Sequence, residues 1–200
     1  GYRSDAQVER HPYYRRRTHE GSCEDEAIMF KQKIVDAYME TARAFQKCST
    51  AKRLKVGCII VDPETGAIVS VGYNGTLPGA SNVCEHPVEV YNENGEKHHA
   101  MKTKEEVLHA EENAIAKLAK GGFPAKNTWM FVTHSPCVKC ARMIVASGID
   151  RVFFEEKFEG TLGCGIDMLT QNGVRTFHYA PPGPYSSEGT VGRSRQPNRL

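Results

Sequence analysis

Residues 108–122, LHAEENAIAKLAKGG, carry two messages at once. After residue 109 the run reads as an apolar helix stopped by Gly121 and Gly122. Yet the place where a helix usually takes Ser, Thr, Asp or Asn as its cap holds His109, with Glu111 two residues on. Downstream, TWMFVTH (128–134) predicts a strand, 137–147 a helix ending at Ser147 and Gly148, and RVFFEE (151–156) a strand. Residues 162–172 predict a helix stopped at Asn172 and Gly173, and VRTFHY (174–179) a last strand. Upstream, KVGCIIVD (55–62) and AIVSVGYN (67–74) flank the turn PETG and predict an antiparallel hairpin. Before them a helix should start at Ser22, whose SCED gives a cap and an acid three residues later, and run to about Lys47 through Ile34, Val35, Tyr38, Met39, Ala42 and Phe45. Helix, hairpin, then three helix–strand alternations ask for a mixed sheet with helices on both faces, its last strands parallel.

The chain has 200 residues, 40% apolar and 25% charged, enough for one domain with a full core. We expect residues 1–20 to be a disordered basic arm, 21–180 the folded domain and 181–200 a disordered Pro/Gly/Ser-rich tail. The net charge of +2 sits in the ends: 1–20 carries five Arg against three acids and 181–200 three Arg against one, leaving 18 basic and 20 acidic residues between. A body without basic excess disfavours a long nucleic acid as partner and favours a small substrate. No run approaches the length of a membrane span and no apolar leader is visible, so the expected place is the cytoplasm. Residues 75–107 read as a long polar loop, a length that is usually functional or tied down.

Seven Cys in a reduced compartment suggest metal before disulfide. Pro136-Cys137-Val138-Lys139-Cys140 opens a predicted helix. Two thiolates and one imidazole hold Zn²⁺ at three positions and leave a fourth open to water, so His109, Cys137 and Cys140 are the candidate ligands. Both segments enter a helix, whose positive N-terminal dipole favours thiolate. Glu111 is then the proton carrier: it takes a proton from the activated water and returns it to a ring nitrogen and a leaving amine. A lone CxxC also serves redox chemistry and a lone HxE means little; the conjunction, with Cys137 standing 26 residues after Glu111, is the zinc deaminase signature.

With KVGCIIVD, GYNGTLPG, HAEENAI and SPCVKCARMI in order, residues 25–180 resemble the cytidine and deoxycytidylate deaminase superfamily, and within it the deoxycytidylate deaminases. The resemblance implies a three-layer α/β/α fold with a five-stranded mixed sheet. It implies conversion of dCMP to dUMP for thymidylate synthesis, frequently in a homohexamer activated by dCTP and inhibited by dTTP, with Mg²⁺ accompanying the effector. It places Asn74 on the sugar, Ala110 and the Ser135 carbonyl at the base, and Phe158 stacked on it, where many members carry Tyr. Asn74-Gly75 also reads simply as a turn, and Phe158 as ordinary packing. For the phosphate, Lys52, Arg53, Lys55, Lys139 and Arg142 are candidates that equally suit a solvated surface.

Some members carry a second, structural zinc, and Cys48, Cys84 and His99 match that pattern, with His86, His98, Glu105 and Glu106 open as a fourth ligand. Such a site would order the long loop without a core. Cys58 is expected in the core, and Cys23 and Cys164 have no assigned role. Two other readings share parts of the pattern: a polynucleotide base deaminase, disfavoured by charge and by GYNG, and a catalytically inert nucleotide-binding or DNA-uptake module, disfavoured by the intact His109, Glu111, Cys137 and Cys140.

Overall fold

The structure, a computed structural model, describes residues 32–160 and 162–181. The expected arm, the first ten residues of the expected first helix, and most of the tail lie outside these. The first described element is α1 (Gln32–Gln46), followed by β1 (Gly57–Val61) and β2 (Ile68–Tyr73), which pair antiparallel as the PETG turn predicts. After the segment 74–109 come α2 (Ala110–Lys120), β5 (Trp129–His134), α3 (Val138–Ser147), β6 (Arg151–Glu156), α4 (Ile166–Gln171) and β7 (Arg175–His178).

Five strands form one sheet in the order β2-β1-β5-β6-β7. β1 is antiparallel to β2 and β5, while β5, β6 and β7 run parallel, joined through α3 and α4. β1 is buried at every position, because helices cover both faces of this inner strand. On one face Cys58, Ile60, Met130, Val132 and Val152 pack under α2, α3 and α4; Cys58 is core, as expected. On the other, Ile59, Val61 and Phe131 meet Tyr38, Met39 and Ala42 of α1. The period-2 alternation of each strand sorts its side chains between these two cores. The result is the mixed five-stranded α/β/α sandwich.

Two glycines set how closely helix and sheet approach. A Cβ at Gly57 would run into Ala42 O on α1, and one at Gly72 into Ala110 O on α2. Gly148 ends α3 in the left-handed region at φ 80°, matching the stop predicted at Ser147 and Gly148. α4 is shorter than the predicted 162–172, because residues 163–165 hydrogen-bond to 136–138 through a single bridge instead of joining the helix.

The predicted loop 75–107 contains a β-hairpin, a correction to the sequence reading. β3 (Glu85–Tyr91) and β4 (Lys97–Thr103) form a separate two-stranded antiparallel sheet. Asn92 Oδ1 accepts from the N–H groups of Asn94 (3.1 Å) and Glu96 (2.8 Å) to build the turn. The half-buried apolar residues are Val88 and Ala100, opposite one another, and Val90, opposite His98; charged and His residues fill most other places. That polarity hides the period-2 signal, although Asn94-Gly95 after VEVY is a hairpin cue.

Candidate active site

Leu108 is fastened to Gly75 by a reciprocal backbone pair, 3.1 and 2.9 Å, so the chain enters α2 from a fixed direction. His109 caps α2 with extended backbone, φ −72° and ψ 159°. It can do so without a capping hydroxyl because the Glu112 carboxylate accepts the His109 N–H at 2.8 Å. The first turn is held to β2 by Asn113 Nδ2 donating to Tyr73 O (2.8 Å) and Ser70 Oγ donating to Ala114 O (2.7 Å). Cys137 occupies the matching place on α3, φ −72° and ψ 169°, and Cys140 follows one turn on.

These two helix starts converge. His109 Nδ1 lies 3.6 Å from Cys137 Sγ and 3.4 Å from Cys140 Sγ. Among the described residues this is the one group of three or more His, Cys, Asp and Glu side chains whose ligand atoms all lie within 4.8 Å. The donor set fits zinc: Zn–S near 2.3 Å and Zn–N near 2.0 Å at the tetrahedral angle separate S from N by roughly 3.5 Å. The charge arrangement agrees. A hydrogen bond with Cys140, then one with His109, holds the Cys137 thiol well below its ordinary range. That same bond and burial push Cys140 up, while the bond to Cys137 raises His109. A thiolate therefore stands beside two further donors, over two helix N-termini. Glu111, 4% exposed, is pushed up to about 7 by burial. It is not a member of the ligand group.

The remaining sequence candidates fall in different places. Ala110 is fully buried in the core beneath the helix start. The Asn74 amide is engaged with the chain: Oδ1 accepts from Val56 N–H (2.8 Å) and Nδ2 donates to Leu54 O (2.7 Å), leaving one N–H and a lone pair. Ser135 is 3% exposed and joins Glu156 and Phe158 by hydrogen bonds. Phe158 is half-buried, and its ring lies over Gly160, where a Cβ would collide with it. Lys52, Arg53, Lys55, Lys139 and Arg142 are all exposed. Cys48, Cys84 and His99 do not form a group with all ligand atoms within 4.8 Å among the described residues. Cys84 is buried and lies 3.3 Å from Thr50 Oγ1, whereas His99 is exposed on β4, opposite Glu89. The backbone pairing of the hairpin orders this segment.

Sequence reasoning missed three supports of the site. Glu112 was legible, since an acid at the third helical position is the standard reciprocal cap. Gly72 was read as part of a motif, not as the close approach that seats α2. Glu85, 4% exposed, accepts the backbone N–H groups of Lys52 (2.9 Å) and Arg53 (3.2 Å), and nothing local foretells that. A cavity of about 400 Å³ adjoins the helix start, lined by Tyr73, Thr76, Leu77, Leu108, Asn113 and Lys117 among others. No helix among the described residues is long and apolar enough to cross a membrane.

Residues 32–156, more than half of the chain, match the cytidine and deoxycytidylate deaminase zinc-binding region. The deoxycytidylate deaminase of Enterobacteria phage T4 is 29% identical over 154 residues, covering 62% of this chain and 78% of that protein. ComE operon protein 2 of Bacillus subtilis is 32% identical over 126 residues, 63% of this chain and 60% of that one. The crystal structure of dCMP deaminase from cyanophage S-TIM5 in complex with dCMP and dUMP superposes with a TM-score of 0.64 at 38% identity, covering 76% of this chain and all of that one.

Proposed function

Because the chain belongs to the cytidine and deoxycytidylate deaminase family, we propose that it hydrolyses dCMP to dUMP and ammonia. The observation that carries this reading is the meeting of His109, Cys137 and Cys140 beside the buried Glu111. The phage T4 relative and the cyanophage structure, with its dCMP and dUMP, support the choice of substrate. Zinc, held by those three side chains, supplies a water acidified toward a pKa of about 7.

Glu111 moves the protons. A C–O bond forms at the pyrimidine C4 and the C–N bond to the exocyclic amine breaks. Glu111 accepts one proton from the attacking water and gives it to the ring nitrogen, then takes the remaining proton from the new C4 hydroxyl and delivers it to the departing amine as C4=O forms. Its burial raises the carboxyl to about 7, so taking and releasing a proton cost little at neutral pH. The Ser135 carbonyl receives the exocyclic amine, Ala110 N–H meets the base, Phe158 stacks on it, and the free N–H and lone pair of Asn74 take a sugar hydroxyl.

The same reading carries control by dCTP and dTTP with Mg²⁺, a homohexamer and a cytoplasmic place. Turnover of dCMP, CMP, dCTP and deoxycytidine, followed by absorbance, tests the substrate; Glu111→Ala should abolish turnover with zinc still bound. No turnover of dCMP, with or without dCTP, rejects the proposal. Native mass spectrometry with and without dCTP reads subunit number and counts zinc. A second equivalent would have to draw Cys48, Cys84 and His99 together.

A further inference from the structure

After β6 the chain leaves the sheet and crosses residues 157–165 before α4. Lys157, Glu159, Leu162 and Cys164 in it are exposed, and the segment has little core of its own. Two backbone hydrogen bonds, which together pair Cys164 with Cys137, seat its far end on the start of α3. Gly165 N–H donates to Pro136 O (2.8 Å), and Val138 N–H donates to Gly163 O (3.3 Å). The approach is close: a Cβ at Gly165 would stand 2.6 Å from Ala141 Cβ and 2.8 Å from Cys137 O. One side chain touches both ends of the segment. Ser135 Oγ accepts the Phe158 N–H at 2.8 Å and lies 3.6 Å from Cys164 Sγ. Ser135 is itself buried and fixed by its own N–H, which donates to Glu156 O at 2.7 Å.

The geometry points to the Ser135 hydroxyl as a positioning group that pins residues 157–160 and 162–165, Phe158 included, over the metal-binding start of α3. It acts through Phe158 and Cys164, not on the reacting atoms. The inference rests on the deaminase reading for its effect on substrate, and on the hydrogen bonds alone for its effect on the segment. Removing the hydroxyl strands the Phe158 N–H and frees the Cys164 thiol, while the backbone bonds of Gly165 and Val138 still hold the far end, so substrate binding weakens while the metal ligands stay in place.

The test compares wild-type, Ser135→Ala and Ser135→Thr proteins, zinc-loaded, by two readouts. In the first, KM for dCMP rises about tenfold in Ser135→Ala with the loss in KM, not kcat, and Ser135→Thr restores it. In the second, iodoacetamide alkylation of Cys164, mapped by peptide mass spectrometry, quickens several-fold in Ser135→Ala and not in Ser135→Thr. Unchanged Cys164 labelling in Ser135→Ala overturns the pin, and so does loss of zinc or a fall confined to kcat. If wild type does not turn over dCMP, the deaminase reading fails; faster Cys164 labelling in Ser135→Ala then still upholds the pin.

Discussion

The metal centre and the hairpin β3–β4 are opposites in construction. At the centre, three side chains from two separate helix starts meet within 4.8 Å, backed by the fully buried Ala110, Ala114 and Ala141. In the hairpin, seven residues on each strand pair with one another, and Tyr91 and Met101 stay 66% and 44% exposed. The centre draws its geometry from the whole sandwich, whereas the hairpin draws its own from cross-strand bonds and a turn. Disturbance at the centre should therefore spread through the domain, and disturbance in the hairpin should stay there.

The largest effect is expected from Cys140→Ala. Loss of one of three ligands should remove zinc and lower dCMP turnover by on the order of 10³-fold or more, since the water's pKa returns from about 7 to its far higher bulk value. Metal analysis and single-turnover kinetics check this, and retained zinc would break the contrast at its stronger side. Gly72→Val comes next. It places a side chain against Ala110 O, where backbone must move, and should cost about 2–4 kcal/mol in urea unfolding while loosening the metal, although it touches no ligand.

Glu85→Ala tests the tie between the hairpin and the α1–β1 connection. It strands the N–H groups of Lys52 and Arg53 and should cost about 1–3 kcal/mol, less if water replaces the carboxylate. Joining residue 86 to residue 102 by a short Gly-Ser link sharpens the hairpin side. With Glu85 kept, folding free energy should shift by about 1 kcal/mol or less and zinc content should stay the same, because an isolated hairpin adds little stability. A collapse of the metal centre in that variant would mean that the hairpin supports it. The smallest change belongs to Lys97→Ala, which breaks the half-exposed pair with Glu89 and should move stability by about 0.5 kcal/mol at most.

The two regions also differ in how they read. Each helix start at the centre is local: HAE followed by an acid at 112, and PC followed by a Cys one helical turn on, are spacings that act within a few residues. Their apolar faces, such as Ala114 and Leu118, and their glycine stops were equally visible. The hairpin depends on Val88 meeting Ala100 and Val90 meeting His98, pairings that no short window of polar residues reveals. Asn74 shows the same limit. As a residue type it suits a sugar hydroxyl, yet the fold spends most of its amide on Leu54 and Val56.

From its sequence alone, then, this protein offers His109, Cys137 and Cys140 as candidate metal ligands and Glu111 as the candidate proton carrier, because those candidacies follow from side-chain chemistry and spacing inside single helical turns. Only the tertiary structure decides that Cys48, Cys84 and His99 form no ligand group within 4.8 Å, that Gly72 and Glu112 seat the first ligand, and that Ser135 reaches Phe158 and Cys164. Those outcomes rest on contacts between segments distant in the chain, and such contacts are set by packing and backbone pairing across the whole sheet.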